Sequence, residues 1–310
     1  MDRVTSRAVV AEYALALEQL IGAGWMQLVS NLFDSNQGTE EYGWLGMPPA
    51  MREWLGQRKA KQLRDDGIEI RNLEFESTIE ILVKHLRRDN HGVIRTRIAE
   101  HVERANSHWA SLLSTLILNG ATGTCYDGQY FFDTDHSTGD SGSQSNKIDV
   151  DISALPATNH GVVTAPSSEE AAQAALKAID QICSFVDDQG EPMNETATQF
   201  LIMTPISLYT PFRSGLTLPR GTDVAEMMSE KQISVVSNAR FGSWTDKFAV
   251  FRTDAPVKAL IRQEEVGVMV SALAEGSDFE HHNNAHQYGL NASRNVGYGR
   301  WEYACQATLT

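Results

Sequence analysis

Residues 126–136 read YDGQYFFDTDH, and the fold turns on whether this run is chemistry or architecture. Asp133, Asp135 and His136 sit close enough in sequence to suggest a metal ion or a general acid/base pair. Metal sites and carboxylate-pair enzymes, however, usually collect their ligands from separate elements. The continuation STGDSGSQSN (137–146) is rich in side chains that cap backbone N–H groups in turns. A structural role is therefore expected, and a metal-dependent hydrolase on Asp133, Asp135 and His136 is the alternative.

Other chemical signatures are weak. EHHNNAH (280–286) places His282 and His286 four apart. Asn283 and Asn284 disfavour a helix there, and the glutamate of an HExxH zinc motif is missing. The chain has no phosphate-binding G-x-x-x-x-G-K-[ST] loop, no G-x-S-x-G elbow and no dinucleotide glycine fingerprint. No enzyme, cofactor or metal site is expected.

The bulk numbers narrow the class. With 310 residues, the chain is long enough for about two domains with a substantial core. The net charge of −14 is uneven: residues 1–120 carry 14 Lys and Arg against 16 Asp and Glu, and residues 121–310 carry 12 against 24. The acidic second part would repel phosphates, which argues against tight nonspecific DNA binding there. Three scattered cysteines, Cys125, Cys183 and Cys305, give no disulfide framework and fit a reducing compartment. Glu12 and Glu18 interrupt the start, so no secretory signal is read, and no apolar run is long enough to span a bilayer.

Periodicity predicts α+β with irregular order. Val10, Tyr13, Ala14, Leu17, Leu20 and Ile21 mark a first helix. From about 36 to 85 the chain reads as a two-faced ribbon turning at RDDG (64–67), too thin in apolar residues to fold alone. A long helix is predicted over about 91–119, with Ile94, Ile98, Val102, Ala105, Trp109, Leu112, Leu113 and Leu116 on its apolar face. Lys84, Arg87, Arg88, Arg95, Arg97 and Arg104 form the one basic concentration. A second helix over about 168–187 opens with the capping box of Ser167 and Glu170. FLIMTP (200–205), QISVVSNA (232–239) and the chain end read as strands.

Five motifs in order carry a family resemblance: YGWLGMPPAMREWLGQR (42–58), FESTIEI (75–81), CYDGQYFFDTDH (125–136), FAVFRTDAPVKALIRQEE (248–265) and VGYGRWEYACQATLT (296–310). Together they resemble the phage Mu-like major head subunit, the gpT family of major capsid proteins. The resemblance implies the Hong Kong 97-type capsid fold. Its parts would be an N-terminal arm and first helix at 1–35, an E-loop at 36–85 and a P-domain with its spine helix at 86–136. An A-domain would follow at 137–275, and 276–310 would return to the P-domain sheet with the last strand.

The implied function is a structural shell protein that self-assembles into pentamers and hexamers, with an encapsulin-like cargo compartment as a further alternative. Implied partners are a separate scaffolding or protease protein, a portal, a decoration protein and packaged double-stranded DNA contacted nonspecifically, with no membrane. The implied location is the virion capsid, assembled in the host cytoplasm. Candidate intersubunit contacts are Trp44, Arg52, Trp54, Arg58, Arg64, Arg87, Arg88 and Arg95.

Overall fold

Two sheets, each covered by helices, carry the chain. The structure is a computed structural model, and it describes residues 6–19, 24–43, 67–88, 92–217 and 231–310. The first sheet is built on two antiparallel strands of 14 residues, β9 (Leu260–Leu273) and β10 (Ala285–Tyr298). The helix α7 (Asp278–Asn283) connects them, and Asn284 ends it in the left-handed region at φ 49°. That short helix is stopped by an asparagine able to adopt the left-handed conformation. Strand β4 (Leu73–Leu82) pairs antiparallel with β10, and β1 (Ser30–Asp34) pairs parallel with β9. The order is β1–β9–β10–β4.

Two helices cover one face of this sheet. They are α1 (Ser6–Gln19) and the 26-residue α4 (Val93–Leu118), which runs close to the predicted span. Val9 and Tyr13 of α1 meet Ile94, Ile98 and Val102 of α4 over Tyr288 and Leu290 of β10. Ile79 and Ile81 of β4 pack against the same cluster. A single imidazole joins three elements here: Tyr13 Oη lies 2.9 Å from His101 Nδ1, and Ser77 Oγ lies 2.8 Å from its Nε2.

The second sheet has the order β5–β11–β8–β6–β7. Its strands are β5 (Lys147–Val150), β6 (Gln199–Thr204), β7 (Gln232–Ser237), β8 (Lys247–Arg252) and β11 (Ala304–Leu309). Helices α5 (Ser168–Cys183) and α6 (Ile206–Thr217) belong to this layer. They approach closely because Gly215 of α6 sits against the backbone of Ser168, where any Cβ would collide with a carbonyl that cannot move aside. The predicted capping box is present, and α5 ends at Cys183 rather than near 187. Alanines at 171, 172, 174, 175 and 178 are all buried along α5.

Strands from 137–275 and from 276–310 enter both sheets. β9 lies within 137–275 yet joins β10 and β4 in the first sheet. The last strand, β11, does not return to that sheet; it runs between β5 and β8 in the second. The reason is burial: ACQATL is almost wholly buried, as a central strand covered on both faces must be. Nor is the whole stretch 36–85 a free ribbon. β2 (Thr39–Glu41) and β3 (Glu69–Arg71) form a two-stranded base, while β4 is part of the long sheet. Tyr42, Ile70 and Ile261 pack together and fix that base to β9.

Trp109 of α4 is the tie between the long helix and the long strands. Arg294 of β10 and Arg262 of β9 lie 4.8 Å and 5.7 Å from its ring centroid. Both arginines are buried, so the attraction between guanidinium and ring acts with little competition from water. Arg294 Nη2 also donates to the Ala105 carbonyl at 3.1 Å, and Arg262 Nε donates to Ser30 Oγ at 2.8 Å. Trp109→Ala removes the ring from two buried cations at once. The expected loss is about 3–5 kcal/mol of stability, read from the chemical-denaturation midpoint.

Glu170 anchors the loop ahead of α5. It is buried, and it accepts N–H bonds from Gly161 at 2.9 Å and Ser167 at 2.8 Å and lies 2.8 Å from His160 Nδ1. Burial alone would raise its pKa; the hydrogen bonds from Gly161, Ser167 and His160 outweigh it and hold the carboxyl below its ordinary value. A depressed carboxylate contributes stability above its unfolded pKa, lost as pH falls through the folded one. Amide exchange at Gly161 should therefore accelerate only below the ordinary carboxylate range, and Glu170→Gln should show faster exchange already at neutral pH.

Candidate functional site

The DTDH run lies in the chain between α4 and β5, and its histidine points inward. His136 is fully buried and stacks on Trp301, with ring centroids 3.9 Å apart and planes 6° apart. Its Nδ1 donates to Asp127 Oδ2 at 2.6 Å, since a carboxylate can only accept. Asp133 faces the backbone instead. Its carboxylate accepts from the N–H groups of Tyr130 at 3.1 Å and Thr134 at 2.8 Å, which makes it a turn cap. Asp135 is exposed. Two carboxylates and a histidine adjacent in sequence thus point three ways.

Asn146 completes the frame. Its Nδ2 donates to the Phe131 carbonyl at 2.7 Å, and its Oδ1 accepts from Asp133 N at 2.9 Å. Its own carbonyl accepts from Gln306 N at 2.8 Å, which ties the loop to β11. Phe131 stacks on Tyr298 at 4.7 Å, and Tyr298 Oη donates to the Leu116 carbonyl at the end of α4. The motif fastens the end of the long helix to β10 and β11.

A buried carboxyl lies beside it. Glu302 is fully buried and accepts from Tyr126 Oη at 2.6 Å, with Arg300 Nη1 at 4.0 Å. Burial pushes its pKa above the ordinary range, against the opposing pull of Arg300 and Tyr126. Sequence reading missed this residue because nothing in GRWEY separates a buried glutamate from a surface one. The clustering of three aromatics at Tyr298, Trp301 and Tyr303 was the available signal.

The histidines at 281–286 do not converge either. His281 and His282 are exposed on α7, while His286 is buried on β10 with Glu280 Oε1 3.2 Å from its Nε2. Among the described residues no group of three or more His, Cys, Asp and Glu side chains could hold a metal ion. No described helix is long and apolar enough to cross a membrane.

Of the candidate contact residues, Trp44, Arg52, Trp54, Arg58 and Arg64 lie outside the described residues. Arg87 and Arg88 end α3 (Val83–Arg88) and are exposed. Arg95 binds within its own chain, with Nε 2.9 Å from Glu12 Oε1 and Nη2 3.0 Å from Glu12 Oε2. It clips α1 to α4.

Comparison with solved structures shows what this arrangement is. A chain of the procapsid of bacteriophage JBD30 superimposes with a TM-score of 0.58 and 22% identity, covering 98% of this chain and 73% of that one. The mature capsid of bacteriophage PhiM1 gives 0.56 at 12% identity, over 94% of this chain and 88% of its own. A virus-like particle from Pyrococcus furiosus gives 0.52 at 9% identity, over 97% and 98%. The chain has the α+β capsid fold, the Hong Kong 97-type fold.

Sequence comparison adds the description of a family. Residues 4–156 match the family described as Mu-like prophage major head subunit gpT. The major capsid protein of Escherichia phage Mu is 33% identical over 136 residues, 41% of this chain and 45% of that protein. The Mu-like prophage FluMu major head subunit of Haemophilus influenzae is 33% identical over 111 residues, 36% of each. The matched region spans less than half the length of either relative.

His136→Ala should cost about 1–3 kcal/mol, because Asp127 loses a buried partner and Trp301 its stacking ring. Asp133→Asn keeps one carbonyl acceptor for the turn and should cost less. Thermal unfolding of the two variants checks the order. Equal stability of the two variants would contradict this division of roles.

Proposed function

We propose that this chain is the major head subunit of a Mu-like tailed phage or prophage, a structural protein that self-assembles into an icosahedral shell around double-stranded DNA. The observation that carries this reading is the capsid fold running through 98% of the chain while its first half matches the head-subunit family. In this reading the sheet of β1, β9, β10 and β4, with α1 and α4, is the peripheral P-domain. The sheet of β5, β11, β8, β6 and β7, with α5 and α6, is the axial A-domain whose contacts set pentamers and hexamers. The β2–β3 pair is the base of an E-loop that lies across a neighbour.

Many modest interfaces per subunit then add up to a stable closed shell while single contacts stay reversible. In this reading a separate scaffolding or protease protein and a portal are the shell's partners, a decoration protein is an optional one, and assembly takes place in the bacterial host cytoplasm. Electron microscopy of the purified protein tests the core of the reading. Closed particles of uniform size are expected, and only discrete small oligomers at every concentration would refute it. Nuclease-protected DNA inside particles from infected or induced cells separates a genome container from a protein-cargo compartment.

Deleting residues 44–66, which join β2 to β3 in sequence, leaves in place Tyr42, Ile70 and Ile261, which pack together. A soluble, cooperatively unfolding protomer that forms no closed shell is the expected outcome, read by calorimetry and microscopy on one sample.

A further inference from the structure

Two histidines of α4, His101 and His108, both meet strand β4. Alternation along β4 turns Phe75, Ser77, Ile79 and Ile81 toward the helix and Glu74, Glu76, Thr78 and Glu80 away from it. Ser77 Oγ lies 2.8 Å from His101 Nε2, and the Phe75 ring meets the His108 ring edge-on with centroids 4.3 Å apart. Tyr13 Oη, 2.9 Å from His101 Nδ1, joins α1 to the same seam. His101 is buried and His108 half-buried.

A neutral imidazole suits this seam, and a charged one does not. Neutral His101 donates at one nitrogen and accepts at the other, and either hydroxyl can play the opposite part. A proton would add charge where arginines already stand: Arg104 beside His101, and Arg294 and Arg240 beside His108. Carboxylates occupy the rim, with Glu80 and Glu100 on the His101 side and Glu76 on the His108 side. Among the described residues none of them lies at ion-pair distance from either imidazole. Glu100 is 3.3 Å from Arg97, and Glu76 accepts from the Thr78 hydroxyl at 2.8 Å. Glu264 of β9 is 3.9 Å from Arg294, and Glu12 of α1 is 2.9 Å from Arg95. Tyr288 of β10 stands behind Tyr13, and His85 and Arg88 of α3 line the outer end of the groove.

Burial lowers the pKa of His101 below its ordinary 6.5; hydrogen bonding to Ser77 opposes this, and Arg104 adds to it. Burial lowers that of His108 to about 4, with Arg294 and Arg240 adding to the effect. A histidine depressed in this way stabilises the folded seam above its unfolded pKa, and the stabilisation is lost as pH falls through the folded one. The window therefore opens below 6.5 and extends to about 4.

The strand has room to respond. An open groove of about 860 Å³ separates β4 from α4, and among the described residues no strand takes the outer side of β4. The Trp109 tie goes to β9 and β10 instead, so it does not depend on β4.

We propose that the seam between α4 and β4 is an acid-released latch, in which protonation of His101 and His108 frees β4 and α1 from α4 while Trp109 keeps α4 on the long strands. Only Asn72 separates β3 from β4, so release also loosens the setting of the β2–β3 pair. This goes beyond the shell reading, because the change lies within one subunit.

The test is hydrogen exchange on the full-length chain from about pH 7.5 to about pH 5, on either side of the free histidine value. Each rate is divided by its intrinsic value at that pH, and light scattering checks that the assembly state is the same throughout. Peptides within 6–19 and 73–82 should lose about tenfold in protection on acidification, and those within 304–309 should not. His101→Gln keeps a donor and an acceptor for Tyr13 and Ser77, and His108→Phe keeps a ring on Phe75. The double variant should hold its protection across the range, and each single one should lose part of the acid response. Constant protection of 73–82 in the native chain would overturn the proposal without any variant. So would an equal acid loss within 304–309, or an acid response that persists in the double variant, which would assign it to carboxylates such as Glu12.

Discussion

Trp109 fixes the geometry on which the rest of the first sheet depends. A 26-residue helix can slide or roll on a flat sheet, because apolar packing alone is non-directional. Two arginines on neighbouring strands remove that freedom, since each must keep its guanidinium against the ring and its own hydrogen bond to Ser30 or Ala105. The same contact places Arg262 where β1 joins the sheet and Arg294 where β10 runs beside β4. Helix, long strands and edge strand are thereby held in one register.

The buried polar set around His136 performs the corresponding task between the two sheets. Asp127, His136, Trp301 and Glu302 bring the loop after α4 against the short turn that joins β10 to β11. A purely apolar junction would tolerate several packings. A hydrogen-bonded one has a unique solution, and a misfit leaves buried polar groups unpaired at about 1–3 kcal/mol each. In a shell, where small errors of subunit shape are repeated around every axis, that uniqueness suits the proposed role. The carboxylate-rich look of DTDH is thus the mark of a joint whose parts are charged because they must be specific.

The basic concentration near α3 and α4 resolves into distinct roles. Arg95 is consumed within the subunit by Glu12, and Arg97 leans on Glu100. Arg88 and Arg104 remain along the groove beside the open edge of β4. A charge cluster that looks uniform in sequence is divided, in space, between holding α1 down and shaping a surface.

Sequence by itself determined that long helices lie near 91–119 and 168–187, because their apolar periodicity and, for the second, the Ser167–Glu170 cap are local signals; the structure sets their ends at 93–118 and 168–183. It also carried the family resemblance, through ordered motifs, and the structural nature of DTDH, through its turn-like composition. Sequence did not decide which sheet each strand enters. β9 and β11 have partners more than a hundred residues away at β1 and β5, and pairing between such distant segments leaves no periodic trace. Nor did it show that Arg262, Arg294 and Glu302 are buried, since a charged side chain reads the same inside or out until its partners arrive from other elements. Only the tertiary structure decided these, because each rests on long-range contacts whose loop-closure cost is repaid when both sheets form together.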